Sequence, residues 1–323
     1  MYVSRIRVSG LRCFAGPRAA DLALDPAPGW TVLAGPNGSG KTTLLHAAAV
    51  ALGAASPPPD AASWLAPDVA DGTAATEATA EVDGSRWHPA AGTRTGPPRP
   101  CTYLGAAGHP RTPAPLPAEI LADGLLPEGW RVSDAAAHAV ATGGLEVPVD
   151  QLGAGIARLA RIAAELAAHP FGTALIDDVD LHLHPVRQQS VGGWLTRHFP
   201  AVQFLVAAHS PYTCQAADPG ALVRMTAPGV PEPPRVLDEE VRQRVLYGSG
   251  DDTALSELFG LPSAYSAAAE AERGLLVRLE RKLYAGQAST EELAEYRELG
   301  AKLNSSLSAR ADEVAGRVLG REP

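Results

Sequence analysis

The chain has 323 residues, of which 46% are hydrophobic, and its formal net charge is −9. This length allows one large α/β domain with an appendage, or two ordinary domains. The acidic balance argues against a generally basic protein that coats nucleic acid. The sequence has no apolar run of about 18 residues, and three widely spaced cysteines predict neither a disulfide framework nor a metal knuckle. We therefore expect a cytoplasmic protein with no membrane partner.

Strand-like and helix-like patterns alternate along the first two thirds of the chain. The predicted strands are 2–9, 30–34, 173–176 and 203–207, and the predicted helices are 42–52 and 156–169. A variable lobe is predicted at about 53–150, with strand-like pieces at 78–82 and 102–104. These patterns predict an α/β head over 1–235, with a mixed sheet and flanking helices.

The C-terminal region, 236–323, has a helical pattern that places apolar residues such as Leu275 and Leu279 on one face. Such a helical appendage offers few apolar positions for an independent core. An apolar edge is predicted at Leu258, Phe259 and Leu261. We therefore expect the tail to bind a partner or a second copy of the chain rather than to take part in catalysis.

A glycine-rich turn follows the strand at 30–34 and fits the phosphate-loop (Walker A) pattern GxxxxGK[ST] at every fixed position. The glycines let backbone N–H groups turn toward phosphates, and the following helix N-terminus favours negative charge. Lys41 is predicted to reach the β- and γ-phosphates of ATP, and the Thr42 hydroxyl to bind Mg²⁺. The predicted nucleotide-binding residues here are Gly35, Pro36, Asn37, Gly38, Ser39, Gly40, Lys41, Thr42 and Thr43.

The apolar strand at 173–176 leads into two carboxylates, Asp177 and Asp178, as in a Walker B motif. A carboxylate at such a strand end holds Mg²⁺ in phosphate-loop enzymes, so Asp177 is predicted as a metal ligand beside Thr42. Asp178 is placed to orient or deprotonate a water molecule. The nearby His182 and His184 lack further ligands at zinc-site spacing, so we do not expect a zinc centre.

The order of the motifs resembles ABC-type ATPases of the RecF/SMC/OLD grouping. The segments that carry the resemblance are Ile6–Phe14, the phosphate loop, Leu152-Gly-Ala-Gly155, Ile176-Asp-Asp-Val-Asp-Leu-His-Leu-His-Pro185 and Ala207-Ala-His-Ser-Pro211. This resemblance implies a head-to-tail dimer in which each ATP lies between one phosphate loop and the partner's signature loop, Gly153, Ala154 and Gly155. It also implies that His209 contacts the γ-phosphate as a catalytic switch, and that Asp180 lies at the subunit contact.

The chain departs from the pattern of this grouping at three places. Gly153 replaces the signature serine, Asp178 replaces the usual catalytic glutamate, and no glutamine occurs between Thr42 and Asp150. Because positioning dominates phosphoryl transfer, these changes favour slow hydrolysis or an ATP-gated switch. We expect Arg158 and Arg161, which follow the signature, to lie on a solvated helix face or at a dimer contact.

Three functions compete on this evidence. The first is an ATPase subunit of a DNA-directed system, such as repair or anti-phage defence, with a separate effector such as a nuclease and possible contact with DNA. The second is a nucleotide-binding regulator or scaffold with negligible turnover. The third is the nucleotide-binding subunit of an ABC transporter, which is disfavoured because no Q-loop glutamine is visible.

Overall fold

The computed structural model describes residues 2–67, 77–105, 117–126, 129–132, 138–140, 144–216 and 221–303. The chain divides into two compact units, one ending at Gly260 and the other beginning at Leu261. This division lies C-terminal to the predicted boundary at 235, because Leu237, Val245 and Leu258 are buried in a core of the first unit. Leu258 is therefore not part of an exposed apolar edge.

The elements of the described residues alternate much as the sequence predicts. The strands are β1 (Arg5–Ser9), β2 (Ala20–Ala23), β3 (Gly29–Ala34), β4 (Thr79–Val82), β5 (Ser85–His88), β6 (Thr93–Thr95), β7 (Cys101–Leu104), β8 (Arg131–Val132), β9 (His138–Val140), β10 (Glu146–Pro148), β11 (Gly172–Ile176), β12 (Val202–Ala208), β13 (Leu222–Arg224) and β14 (Arg235–Val236).

The helices of the described residues are α1 (Lys41–Leu52), α2 (Ala118–Ala122), α3 (Ala154–Ala168), α4 (Pro185–His198), α5 (Pro211–Cys214), α6 (Glu239–Tyr247), α7 (Gly250–Leu255), α8 (Ala267–Tyr284) and α9 (Thr290–Leu303). Each of these helices is too short or too polar to span a lipid bilayer. Parts of the predicted variable lobe and the predicted helical residues 304–320 lie outside the described residues.

A six-stranded sheet in the order β14-β13-β3-β12-β11-β7 forms the centre of the first unit. Its strands pair in parallel, except that β14 runs antiparallel to β13. Because parallel strands end at the same edge, the residues that follow β3, β11 and β12 come together there. The predicted phosphate-loop, carboxylate and histidine motifs all follow these three strands.

Side chains of the central sheet alternate between two cores. Trp30, Val32 and Ala34 of β3 pack in one core with α3 and α4, whereas Leu33 faces the other core with α1. Helix α1 is buried on nearly all sides, because it lies between the central sheet and a five-stranded antiparallel sheet, β2-β1-β4-β5-β6. An alanine-rich helix without a polar face fits such a position between two sheets.

The second unit consists of α8 and α9 in its described part. Helix α8 has a serine N-cap, because the Ser266 hydroxyl accepts a hydrogen bond from the backbone N–H of Ala269. Of these two helices only Leu279 is buried, and Val277 and Tyr284 remain exposed. On the predicted apolar face Leu275 is half-buried and Leu279 is buried, but this unit has no extensive core in the part that the structure describes.

The predicted fold class is confirmed. The first unit is an α/β structure with a mixed sheet and flanking helices, and the C-terminal unit is helical.

Candidate functional site

The phosphate loop connects β3 to α1 at the edge where the parallel strands end. Two of its glycines are required by their surroundings. A Cβ atom at Gly35 would lie 2.3 Å from the carbonyl oxygen of Met225, and one at Gly40 would lie 2.7 Å from the Phe14 ring. Gly40 also has φ of 101°, a left-handed conformation that side chains rarely adopt. Close packing thus fixes the loop in a shape that only glycine allows.

Lys41 begins α1 and is 5% exposed. Its Nζ donates hydrogen bonds to the carbonyl oxygens of Gly35 at 2.8 Å and of Pro36 at 3.2 Å. Burial lowers the pKa of Lys41, while the nearby carboxylates of Asp178 and Asp177 act in the opposite direction. The loop therefore holds the ammonium group at its centre, where phosphate oxygens could replace the carbonyl partners.

Thr42 and Asp177 meet directly across the strand ends. The Thr42 hydroxyl donates to Asp177 Oδ1 at 3.1 Å, and Asp177 is 1% exposed. Burial raises the pKa of Asp177 to about 6, and the Asp178 charge adds to this rise. A buried carboxylate beside a hydroxyl is an all-oxygen donor pair, which suits Mg²⁺. A divalent cation there would also offset the cost of the buried charge.

Asp178 and His209 form the next pair at this edge. His209 Nε2 lies 3.3 Å from Asp178 Oδ1, and both side chains are partly exposed. Asp178 has a positive φ of 49°, which places it at a sharp turn just after the strand. The hydrogen bond from His209 holds the pKa of Asp178 below its usual range, although burial opposes this effect. The structure thus brings both predicted catalytic residues into contact.

Asp180 connects the segment after Walker B to the end of β12. Its side chain is buried at 6% exposure, and Oδ2 accepts the backbone N–H groups of His209 at 2.8 Å and Ser210 at 2.6 Å. The carboxylate therefore fixes the end of β12 within its own chain. Its expected position at the subunit contact stays a prediction.

The signature residues lie in a separate groove. Gly153 precedes α3, and Ala154 and Gly155 form its first turn. They line a groove of about 320 Å³ together with residues that precede α3, that follow Walker B and that lie in α4; these are Leu125 and Leu152, His182, Leu183 and His184, and Arg187. No phosphate-loop residue lines this groove. Within the part of the chain that is described, the signature and the phosphate loop therefore do not form one pocket.

The two histidines after Walker B have exposed side chains. His184 is the N-cap of α4, and its ring nitrogen Nδ1 accepts the backbone N–H of Val186 at 3.4 Å. His182 has a positive φ of 63°, and its carbonyl oxygen faces Gly155. These two residues therefore shape the turn between Walker B and α4.

Arg158 is a site residue that the sequence reasoning placed elsewhere. It was expected on a solvated helix face or at a dimer contact together with Arg161. Only Arg161 is exposed; Arg158 is half-buried, and its guanidinium donates to the carbonyl oxygen of Asp177. The expected solvated face is wrong for Arg158, because residues three apart on a helix differ by about 60° in direction. The alternative of a dimer contact stays a prediction. Helix periodicity predicts that Arg158 and Arg161 point in different directions, but no spacing in this segment predicts the contact of Arg158 with Asp177.

Arg12 also lies beside the phosphate-loop helix. Its guanidinium carbon is 4.1 Å from the centre of the Trp64 ring, and Nη1 is 3.5 Å from Thr43 Oγ1. A cation stacked on an aromatic face keeps its charge while its direction is fixed. No spacing in the sequence predicts this contact, because Trp64 is 52 positions later in the predicted variable lobe.

Sequence comparisons match two families of ATPase domains. Residues 5–85 match the family described as "AAA domain", and residues 110–214 match the family described as "AAA domain, putative AbiEii toxin, Type IV TA system". The two matched stretches contain the phosphate loop and the Walker B segment, respectively.

Two curated relatives match short stretches. The "Retron Ec83 probable ATPase" of Escherichia coli is 47% identical over 47 residues, which are 15% of this chain and 9% of the relative. The "Retron Vc95 probable ATPase" of Vibrio cholerae serotype O1 biovar El Tor is 49% identical over 41 residues, or 13% of this chain and 8% of the relative. The chain therefore matches less than a tenth of the length of either relative.

A solved SMC head, bound to the C-winged helix domain of ScpA, resembles the structure with a TM-score of 0.52. The two are 14% identical, and the likeness covers 75% of this chain and all of that one. At this identity the likeness concerns the fold alone. It shows that the chain has the fold of an SMC head, and two stretches of its sequence match AAA-type ATPase domains.

Proposed function

We propose that this chain is an ATPase subunit that binds MgATP, hydrolyses it slowly, and works as a nucleotide-gated head-to-tail dimer. The observation that carries the proposal is the meeting of Thr42 and Asp177 at the strand ends, next to the Asp178–His209 pair. A phosphate loop alone predicts nucleotide binding. Two further features support hydrolysis as well. The buried Asp177 carboxylate accepts a hydrogen bond from Thr42, and the neighbouring Asp178 carboxylate is paired with His209.

Each residue of the site has a specific role in the proposed hydrolysis. The loop N–H groups and Lys41 bind the phosphates, and Thr42 with Asp177 would hold Mg²⁺, which would neutralise charge between the β- and γ-phosphates. Asp178 orients a water molecule and accepts its proton, and His209 is close enough to Asp178 to share that task. Hydrolysis adds water across the bond between these phosphates and releases ADP and phosphate.

The dimer completes each site in this proposal. Gly153, Ala154 and Gly155 lie in a groove that contains no residue of the phosphate loop. The exposed N-terminus of α3 is suited to a phosphate of a second subunit, because backbone N–H groups there lack helical partners. Gly153 offers no hydroxyl donor to the phosphate. We therefore expect a weak coupling free energy between nucleotide binding and subunit association, about 1 kcal/mol, at the low end of the typical range of about 1–3 kcal/mol.

A regulator or scaffold with negligible turnover is the second candidate, and one observation favours it. His209 Nε2 lies 3.3 Å from Asp178 Oδ1, and a carboxylate that is already paired with a histidine is a weaker proton acceptor; the same hydrogen bond lowers the pKa of Asp178. Under this alternative the chain binds MgATP and changes its association without releasing phosphate.

A separate effector, such as a nuclease, completes the proposal. Support comes from the resemblance to stand-alone ATPases of DNA-directed systems and from the two relatives whose names connect them with retrons. A role in DNA repair or anti-phage defence, with possible DNA contact, follows from that likeness. The effector would bind through the C-terminal unit, whose Val277 and Tyr284 are exposed.

The test combines sizing with phosphate release. We expect sedimentation to show tighter association with Mg²⁺ and a non-hydrolysable ATP analogue than with ADP or no nucleotide, by roughly 5-fold or more. Slow phosphate release from ATP would support the ATPase, and its absence with intact association would support the regulator. A chain that stays monomeric at high concentration with the analogue would defeat the composite-site proposal.

A further inference from the structure

Helix α3, which begins with the signature residues, contacts residues 177–182 of its own chain at two points. We call these residues the catalytic turn. A Cβ atom at Gly155 would lie 2.5 Å from the carbonyl oxygen of His182, so the first turn of α3 packs tightly on the segment after Walker B. One turn further, the guanidinium of Arg158 donates to the carbonyl oxygen of Asp177. Two contacts a turn apart fix both the position and the direction of the helix relative to that segment.

The surroundings of Arg158 explain why it stays at this place. Its side chain is half-buried, and the carboxylates of Asp178, Asp177 and Asp180 all lie within electrostatic range. An arginine withdrawn from water is retained where several negative charges compensate for its lost hydration. Arg161 on the same helix is exposed, so burial distinguishes the two arginines.

We propose that Arg158 is a positioning residue for ATP hydrolysis, which acts by holding the main chain of Asp177 in its own subunit. The Asp177 carbonyl lies between β11 and the sharp turn at Asp178, so its direction determines where both carboxylates point. This inference rests on the proposed ATPase function. It adds that the signature helix and the catalytic turn of one chain move as one rigid unit.

The proposal has a consequence for the dimer. When the N-terminus of α3 binds the nucleotide of the partner, any displacement of the helix reaches Asp177 of the same chain through Arg158. Nucleotide binding at one composite site thereby changes the position of Asp177 in the other site. Arg158 thus serves the site of its own subunit, although it lies on the helix that faces the partner.

The first experiment measures Arg158→Met, Arg158→Lys and the matched control Arg161→Met in the full chain. We expect Arg158→Met to lower kcat about 10- to 100-fold, with little change in KM for ATP, because misdirected groups retain binding but lose alignment. The Mg²⁺ concentration for half-maximal nucleotide binding should rise severalfold, measured by calorimetry independently of turnover. Arg158→Lys keeps a charged donor and should recover part of both losses, and Arg161→Met should change neither.

A purely structural role gives a different result. It would lower the melting temperature and the nucleotide affinity together, without a separate effect on Mg²⁺ or kcat. Unchanged kcat and unchanged Mg²⁺ dependence in a folded Arg158→Met chain would overturn the proposal. The Mg²⁺ readout keeps the test valid even if turnover is too slow to measure.

The second experiment decides which subunit Arg158 serves. Lys41→Ala chains are mixed with Arg158→Met chains. In a mixed dimer the intact phosphate loop belongs to the subunit that carries Arg158→Met, and the only intact Arg158 belongs to the partner subunit. We expect no recovery of turnover or of Mg²⁺ dependence. Recovery would show that Arg158 acts across the interface and would overturn its role in its own subunit.

A positive control uses Lys41→Ala mixed with Ala154→Asp, a signature variant at an exposed position of α3. About half of the dimers formed by random mixing contain one subunit of each kind, and each of these has one complete site out of two. About a quarter of wild-type activity should therefore return. Absence of this recovery would count against the head-to-tail dimer itself. The kcat and Mg²⁺ measurements on Arg158 variants would still decide the positioning role, so the two failures are distinguishable.

Discussion

The phosphate-binding face and the signature groove both place a helix N-terminus after a glycine, but the chain completes them differently. At the first, α1 follows a buried strand, and Thr42 is bonded to Asp177. At the second, α3 follows a short 3-10 turn, Val149–Gln151, and Gly153 and Ala154 are exposed. The same backbone feature is thus enclosed by carboxylates and lysine in one place and open to solvent in the other.

This difference shows how one chain can carry two halves of a site. A helix N-terminus supplies N–H groups, but hydrolysis also requires a cation site and a base. In the described chain only the phosphate-binding face has residues that we propose for both roles. Substitutions on the phosphate-binding face should therefore alter nucleotide binding by a single chain. Substitutions in the signature groove should have an effect only when two chains associate.

The largest effect is expected from Lys41→Ala. Removing the buried ammonium should weaken ATP binding by about 100-fold or more, because a charge-assisted hydrogen bond contributes about 1.5–3 kcal/mol and Lys41 can make several. Calorimetric titration measures the affinity. Ala154→Asp is the matched variant in the signature groove and should leave the affinity of a dilute chain unchanged. Equal losses in both variants would break the comparison between the two faces.

Asp178→Asn should keep ATP binding but lower turnover about 100-fold, because the amide has the size of the carboxylate without its proton-accepting ability. A dimer that forms with ATP should then persist. Phosphate release and sedimentation measure the two effects. Asp178→Glu introduces the glutamate that is usual in the RecF/SMC/OLD grouping, which the motifs resemble, and should raise turnover. Unchanged phosphate release in Asp178→Asn would remove this residue as the base.

The pH dependence of stability should identify Asp177 as the costly charge of the catalytic face. Its pKa of about 6 in the folded chain exceeds that of an exposed aspartate, about 3.9. The unfolded state therefore loses its proton first, and this group reduces stability progressively as the pH rises from about 4 to 6. Above about pH 6 Asp177 is ionised in the folded and the unfolded state, so the free energy of unfolding stays lowered by a constant amount.

Asp177→Asn should therefore raise the melting temperature at pH 8 in the absence of divalent cations, by about 3–8 °C. At pH 4 the difference should nearly vanish, because the carboxyl is largely neutral in the folded state. Added Mg²⁺ should raise the melting temperature of the wild type alone. An equal gain at both pH values would show that packing, not charge, is responsible.

The smallest effect on nucleotide binding is expected from removing the C-terminal unit. A chain ending at Gly260 retains the first compact unit, so its ATP affinity should stay within about twofold of the full chain. Its association with a partner or a second copy should weaken, as sedimentation would show. A shorter chain ending at 235 loses the buried Leu237, Val245 and Leu258 and should unfold at lower temperature.

Local patterns in the sequence predicted much of this protein. The phosphate loop, the apolar strands and the carboxylates after β11 were readable because a turn, a strand or a helix start depends on neighbouring residues. The α/β fold followed from their order. The roles assigned to Asp178, His209 and the signature residues remain predictions, although the structure places Asp178 and His209 in contact.

Contacts between residues far apart in the chain were decided only by the tertiary structure. The burial of Asp180 against the end of β12, the contact of Arg158 with the Asp177 carbonyl and the packing of Leu258 into the first unit are of this kind. Helix periodicity gave the direction of Arg158 relative to Arg161, but not the element that it would face. Such facts depend on which surfaces of packed elements meet, and no spacing within one segment determines that.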